Sequence, residues 1–476
     1  MEAEKTFDFE NNIEKALRDD RLRKNLRNAM DILVEKRRSV FPDREHLERL
    51  RAAGNAIKRR ALKQLPCLLE QLEANCTKNG IHVHWAEDTA EANGIVLDIL
   101  RRHDAKEVVK GKSMVSEEMH LNHFLQTHGI DALETDLGEF IIQLNHETPS
   151  HIIVPAIHKN RDEVAAIFQE KIPDTPYTEN VEELTAIARR VLRERFARAK
   201  VGLSGVNFAI AETGTLLLVE NEGNGRMCTT VPEVHVAVMG LEKVLEKLSD
   251  VPPLLRLLTG SATGQLITTY VNMITSPRRQ GEKDGPREVH LILLDNGRSH
   301  ILSDPEFRQT LLCIRCGTCL NHCPVYVRIG GHAYGHVYPG PIGKILTPQM
   351  EGLRRAGVLA TASSLCGACA EVCPVQIPIP ALIRRLRRES YDTGDGATVA
   401  DAGYRSNLAE TLIWKGWELA NTVPALNRLG TRLAGAVGDK TPKLGPLRAW
   451  TRVRTAPKFA AKSLHDRVGK EGVKNE

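Results

Sequence analysis

Apolar residues recur every three or four positions through LRNAMDILVEKRRSV and ALKQLPCLLEQLEANC, with charges between them. The stretch from Phe9 to about Cys76 therefore predicts amphipathic helices. Asn79–Gly80 breaks this pattern, and IHVHWA opens a regime in which short β-rich runs alternate with helical ones. IHVHWA precedes TAEANGIVLDILRRH, EVVKGKS precedes SEEMHLNHFLQTHG, IDALETDL precedes GEFIIQLNHE, and HIIVPAI precedes NRDEVAAIFQEKI. VNFAIAETGTLLLVEN and VHLILLDNG read as strands around glycine turns, and PEVHVAVMGLEKVLEKL as one more strand-to-helix step. Repeated units of this kind predict a mainly parallel sheet flanked by helices from Ile81 to about Arg298. From Leu302 two cysteine-rich runs are separated by the loop IGGHAYGHVYPGPIG. Beyond Val375 the chain turns basic and helical in ALIRRLRRES and NLAETLIWKGWELANTV.

At 476 residues the chain exceeds what one core usually serves, so several domains are expected. Hydrophobic content of 42% with 26% charged residues describes a globular protein in water, and no apolar run approaches the about 18 residues of a membrane span. The acidic start MEAEKTFDFENN lacks the basic-then-apolar order of an export signal, which makes the cytosol the expected setting. The formal charge of +5 is small, but Thr441 to Glu476 carries nine Lys/Arg against three Asp/Glu. A solvated tail is the simpler reading, and contact with an acidic partner or a membrane surface is the alternative. No helix-turn-helix or DNA-reading basic element is present, so nucleic acid is not an expected partner.

Seven of the ten cysteines fall between Cys313 and Cys373, while Cys67, Cys76 and Cys228 are scattered. Clustering of this kind in a cytosolic chain points to metal rather than disulfides. In CIRCGTCLNHCP the thiols Cys313, Cys316, Cys319 and Cys323 follow the C-x2-C-x2-C-x3-C-P spacing of two-cluster ferredoxins. Three thiols three residues apart wrap one iron–sulfur cube, and Gly317 suits so tight a turn. The fourth lies too far along, and Pro324 turns it toward the other cluster. This rule assigns Cys313, Cys316, Cys319 and Cys373 to one [4Fe–4S] cluster and Cys323, Cys366 and Cys369 to a second. In SSLCGACAEVCP the remaining position is Ser363. Three solutions stay open: an oxygen ligand from Ser363 or water, a three-iron [3Fe–4S] cluster, or a thiol from elsewhere such as Cys228. The expectation is a second [4Fe–4S] centre with an unusual fourth ligand. Zinc is the rival use of clustered thiols, but zinc sites favour two separated pairs over a triplet, one more thiol and a proline.

The loop residues His332, Tyr334, His336 and Tyr338 invite three roles: lining the cluster surface, gating proton-coupled transfer or supplying the missing ligand. The simpler expectation is that they close a compact loop. KGKSMVSEE puts Lys110, Lys112 and Ser113 at a strand end entering a helix, where anions bind. ETDLGEF puts Glu134, Asp136 and Glu139 at a similar junction, and Glu212, Thr213, Gly214, Glu220 and Arg226 lie around later turns. Open α/β sheets bind ligands beyond the carboxyl ends of their strands, so these residues either converge on one cleft or serve as caps and turns. No nucleotide-binding fingerprint accompanies them, and no catalytic residue is assigned.

Through KGKSMVSEE, ETDLGEFIIQL, PSHIIVPAIHKNR, AETGTLLLVENEGNGR, CIRCGTCLNHCPVYVRIGGHAYGHVYPGPIG and SLCGACAEVCPVQIPIP, the chain resembles the lactate-utilization protein B family of iron–sulfur proteins. The resemblance covers nearly the whole chain. It implies a helical N-terminal region (1–78), an α/β lactate-utilization (LUD) domain (79–298) and a two-cluster ferredoxin-type domain (299–390), followed by a basic helical C-terminal extension (391–476). The LUD domain is implied to be related to CoA transferases and ribose-5-phosphate isomerase. The resemblance also implies a cytoplasmic protein, with peripheral contact to the inner face of the membrane as an option. Its two implied partners in oxidising L-lactate to pyruvate are a cysteine-rich iron–sulfur protein and a LUD-only protein. The family likewise shows Ser before LCGAC, so Ser363 is not expected to be a relic. With paired clusters and no flavin or nicotinamide fingerprint, the expected role is electron transfer toward a partner and finally a quinone. Two rivals stand beside it. One is an acyl or sugar-phosphate activity of the α/β domain, with Glu134 or Glu212 as nucleophile, and the other is a cluster-based redox sensor.

Overall fold

Four helices lead into the sheet: α1 (Phe9–Arg18), α2 (Asp20–Val40), α3 (Arg44–Lys63) and α4 (Leu65–Lys78). The structure is a computed structural model that describes residues 8–391, 397–405, 408–437, 460, 462 and 464–471. α2 and α3 begin where aspartates offer caps, Asp19 accepting from the Leu22 N–H at 2.8 Å and Asp43 from the His46 N–H at 3.0 Å. Leu26, Met30, Ile57, Ala61 and Leu72 form the buried stripe that the helical periodicity predicts.

The predicted parallel sheet is present with six strands. Their order is β1 (His82–Ala86), β10 (Glu288–Leu294), β7 (Val234–Gly240), β4 (Val201–Gly205), β2 (Glu107–Lys110) and β3 (Asp131–Glu134). Alternate residues of β10 feed different cores. Val289, Leu291 and Leu293 pack with the lead-in helices, whereas Ile292 and Leu294 pack with α5 (Thr89–Arg102). Continuous burial on β7 and β10 follows, because each strand is covered on both faces. After β2 the helical run is split into α6 (Met114–Glu118) and α7 (Leu121–Thr127) by His120, whose φ is 49°. After β3 comes α8 (Leu137–Leu144).

Two expectations are corrected. HIIVPAI is not a strand, since residues 151–157 run through turns. Pro155 has no N–H to give a ladder, and His151 Nδ1 accepts from the Ile153 and Val154 N–H groups at 3.1 and 3.2 Å. LEKVLEKL is not a helix. Leu241–Lys243 is a 3₁₀ turn, and Val244–Leu245 forms β8, paired with β5 (Phe208–Ile210) in a second sheet completed by β6 (Thr215–Glu220) and β9 (Tyr270–Ile274). This pairing buries Val244 and Leu245 and draws Glu242 and Lys243 inside, where a surface helix would have left them in water.

Residues up to Tyr404 form one compact unit, and the residues from Arg405 form another. In the latter, helices Leu408–Thr422 and Pro424–Val437 are joined by a short turn, the rings of Trp414 and Trp417 lie 6.0 Å apart, and Arg432 pairs with Asp466 at 2.8 Å. Most of the basic tail 441–476 lies outside the described residues. Among the described residues no helix is long and apolar enough to cross a membrane.

Candidate metal centres

CIRCGTCLNHCP and SSLCGACAEVCP fold alike, with Cys316, Cys319 and Cys323 matched by Cys366, Cys369 and Cys373. Arg315 and Leu365 both take left-handed backbone, with φ of 60° and 55°. So do the glycines two positions on, Gly317 at 73° and Gly367 at 89°. Glycine takes that conformation without penalty, and arginine or leucine takes it only where the surroundings hold it. A single helical turn follows in each run, Thr318–Asn321 and Ala368–Glu371, and Pro324 or Pro374 then ends it.

The runs trade their last thiol. Cys313, Cys316, Cys319 and Cys373 line one recess, rimmed by Ile152, Ile314, Ile342 and Ile377. Cys323, Cys366 and Cys369 line another, together with Ser363 and Lys344. Backbone N–H groups point at the sulfurs, from Arg315 to Cys313 Sγ (3.4 Å), Tyr326 to Cys323 Sγ (3.5 Å) and Ile377 to Cys373 Sγ (3.3 Å). Lys344 Nζ lies 3.6 Å from Cys323 Sγ. Burial pushes Cys373 up to about 11, and burial together with the neighbouring Cys323 pushes Cys369 up to about 11. Such thiols keep their protons at neutral pH unless a metal displaces them. Convergent soft sulfurs with amides aimed at them fit an iron–sulfur group. The second recess is the more open: Cys366 is exposed, and Ser363 Oγ accepts from the Leu365 N–H at 3.2 Å.

Positive charge surrounds the first recess. Arg51 donates to the Cys373 carbonyl at 2.9 Å, Arg37 donates to that of Val372 at 3.3 Å, and Lys58, Lys243 and Arg315 are buried nearby. Arg315 is held from the α/β side by a chain of buried ion pairs that carries no local sequence signal. Arg315 donates to Glu242 Oε1 at 3.1 Å, and Arg298 donates to Glu242 Oε2 at 2.6 Å. Arg298 also grips both oxygens of Glu118 at 2.9 Å, and the Tyr338 hydroxyl donates to Glu118 at 2.7 Å. Burial alone would raise the Glu242 carboxyl, but Arg298 and then Arg315 hold it down to about 2. Arg298 follows the end of β10 and Glu242 the end of β7, so the cysteine loops dock where open α/β sheets otherwise bind ligands. His151 completes the contact, with Nε2 3.0 Å from Asn321 Oδ1 and its ring packed beside Gly317. Burial and then the charge of Lys112 hold this imidazole down to about 3.

The other predicted residues divide. Lys110 is fully buried, 2.6 Å from Glu134 and 3.0 Å from Glu117, and Lys112 lies 4.0 Å from Glu139. These residues converge beyond the carboxyl ends of β2 and β3, where Asp136 caps α8 and Ser113 caps α6. Burial lifts Glu139 well above the usual carboxylate range. Glu220 accepts from the Gly225 and Arg226 N–H groups as a turn residue. Glu212 does not join this cluster; it is exposed at the β5–β6 hairpin and accepts from the Leu248 N–H at 2.9 Å, while Thr213 and Gly214 pack on α4. Cys228 lies in an apolar cluster with Val109 and Phe196, 3.4 Å from Thr135 Oγ1, and lines neither recess. Of the loop side chains, His332 binds the Thr148 carbonyl at 2.7 Å and His336 pairs with Glu351 at 2.7 Å, while Tyr334 is buried beneath Lys344, which lines the second recess.

Three family profiles match successive parts of the chain: LUD domain over residues 69–294, 4Fe-4S dicluster domain over 309–377, and lactate utilisation protein B, C-terminal, over 385–473. A lactate utilization protein B of Bacillus licheniformis is 40% identical over 95% of this chain and 94% of its own. That of Bacillus subtilis is 39% identical over 94% of this chain and 93% of its own. An uncharacterized electron transport protein of Escherichia coli K12 is 41% identical over 96% and 95%. Among solved structures, a DUF162 family protein from Deinococcus radiodurans matches 48% of this chain and 98% of its own at 16% identity, with a TM-score of 0.28.

Proposed function

Because the chain belongs to the lactate utilization protein B family, we propose that it is the iron–sulfur electron-transfer subunit of a multi-subunit system oxidising L-lactate to pyruvate. The observation that carries this reading is the exchange of thiols between the two runs, which gives each recess sulfurs from both. Cys313, Cys316, Cys319 and Cys373 are the proposed ligands of one [4Fe–4S] cluster. Cys323, Cys366 and Cys369 are those of a second, with Ser363 or water at its fourth position. When bound, the clusters supply one-electron steps, and removing two electrons from a hydroxy acid needs such steps in pairs. The isoleucine rim excludes water from the first group, Arg37, Arg51, Lys58, Lys243 and Arg315 offset its negative charge, and Lys344 does the same at the second.

The domain boundaries given above, the kinship of the α/β domain with CoA transferases and ribose-5-phosphate isomerase, and the partners belong to this reading. The partners are a cysteine-rich iron–sulfur protein, a LUD-only protein and an eventual quinone. Hydride chemistry falls to another subunit. Reconstituting the system with Cys316→Ser is expected to abolish lactate-dependent dye reduction, and unchanged turnover rejects the relay. A second reading has one observation in its favour: Lys110, Lys112, Glu134 and Glu139 gather beyond the strand ends, with Lys112 Nζ, Glu134 Oε2 and Glu139 Oε1 buried and without hydrogen-bond partners. Calorimetric titration with lactate, pyruvate and CoA esters tests a ligand there.

A further inference from the structure

The opposite edge of the parallel sheet carries a second group of metal-ligating side chains. His82 and His84 on β1 and Glu288 and His290 on β10 share one face of the sheet, because His82 stands beside His290 in register and side chains alternate along a strand. His103, just past the end of α5, reaches the same face. His103 Nε2 is 3.2 Å from Glu288 Oε2, and His290 Nε2 is 3.5 Å from that same oxygen. The three donor atoms all lie within 4.8 Å of one another. Zinc bonds of about 2.0–2.1 Å in a tetrahedron place neighbouring donors about 3.3 Å apart, so both histidine distances to Glu288 Oε2 already match a coordination shell.

The decisive atom is His290 Nε2. The residue is only 2% exposed, and this nitrogen is buried without a hydrogen-bond partner although it faces Glu288. A buried polar atom in that condition is costly unless something occupies the space in front of it. The far side of the ring is secured: Nδ1 is 3.1 Å from His84 Nε2, and the His82 ring stacks on it at 5.0 Å. That arrangement lets Nδ1 carry the proton and leaves the Nε2 lone pair free, as in metal sites where a neighbouring acceptor fixes the tautomer.

We propose that His103, Glu288 and His290 bind a divalent transition-metal cation, zinc by preference, with His84 orienting His290 from behind. Two imidazoles and a carboxylate suit zinc or its neighbours and not calcium or magnesium, which take oxygen. His103 and Glu288 are partly exposed, so the cation arrives from solvent and water fills its fourth place. Bound there, it pins the end of α5 to the first residues of β10. In the comparable group Glu147, His158 and His332, the carboxylate is already taken, paired with Lys159 at 2.5 Å and His158 at 2.6 Å.

The test uses untagged, anaerobically purified protein with its clusters loaded, stripped of loose metal by a chelator and titrated with zinc by calorimetry. One zinc per chain is expected beyond the iron–sulfur groups, with a matching rise in melting temperature. The double variant His103→Ala, Glu288→Gln, which alters only partly exposed residues, is expected to bind at least about tenfold more weakly and to lose the rise. Cobalt(II) titration supplies a readout of its own, since a four-coordinate nitrogen–oxygen site gives intense visible bands. No saturable zinc uptake by the natural protein, unchanged affinity in the variant, or absence of those cobalt bands overturns the proposal.

Discussion

Lys344 Nζ lies 3.6 Å from Cys323 Sγ, and among the described residues no other lysine or arginine lines the second recess. A buried cation there stabilises added electrons. Lys344→Met is expected to lower the reduction potential of the second centre by about 60 mV, the equivalent of about 1.4 kcal/mol for one electron. An electron-paramagnetic-resonance redox titration measures it, and an unmoved potential removes Lys344 from any tuning role.

Ser363 stands where Cys313 stands in the other run, so Ser363→Cys is expected to complete the sulfur set of the second recess. Natural protein purified without oxygen should hold about eight irons per chain and lose some on exposure to air, while the cysteine variant retains them. A natural content near four irons would leave no room for a second cubane. Identical iron loss in Ser363→Cys and Ser363→Ala would show that position 363 is not a ligand position.

Gly317 and Gly367 share a left-handed backbone but not their surroundings. A Cβ at Gly317 would sit 3.0 Å from His151 Cε1, whereas one at Gly367 meets nothing within 4 Å. Gly367→Ala is expected to cost about 1 kcal/mol, and Gly317→Ala more, because His151 must also move. Thermal unfolding of the two variants side by side checks the order.

Glu242 is held at about 2 between Arg298 and Arg315, below the ordinary 4.5. A lowered carboxylate contributes stability that is complete above its unfolded value and is lost as pH falls from about 4.5 toward 2. Glu242→Gln is expected to destabilise the protein by about 3–5 kcal/mol at neutral pH, because Arg298 and Arg315 lose their shared counter-charge. It should also flatten the loss of stability on acidification. Denaturant unfolding from pH 7 down to about pH 2 reads both effects.

What could be read in the sequence was what neighbouring residues decide. The Gly317 turn and most of the strand-to-helix alternation act over a few residues and appear in the structure, and the spaced cysteines line two recesses. Other features depend on distant partners. Val244–Leu245 became a strand because Ala209 and Ile210 offered an edge, and HIIVPAI became a turn because His151 caps its own backbone beside the Gly317 loop. Glu118, Glu242, Arg298 and Arg315 come from four separate segments. Within any one of those segments their pairing leaves no trace. Glu212 and Glu134 stand at similar turns in the sequence, and sheet topology separates them.

Because Cys373 closes the first recess and Cys323 the second, neither can be finished while the other is missing a wall. The two recesses are thus built as one interlocked unit. Disturbing either run therefore moves a thiol that belongs to the other run's recess.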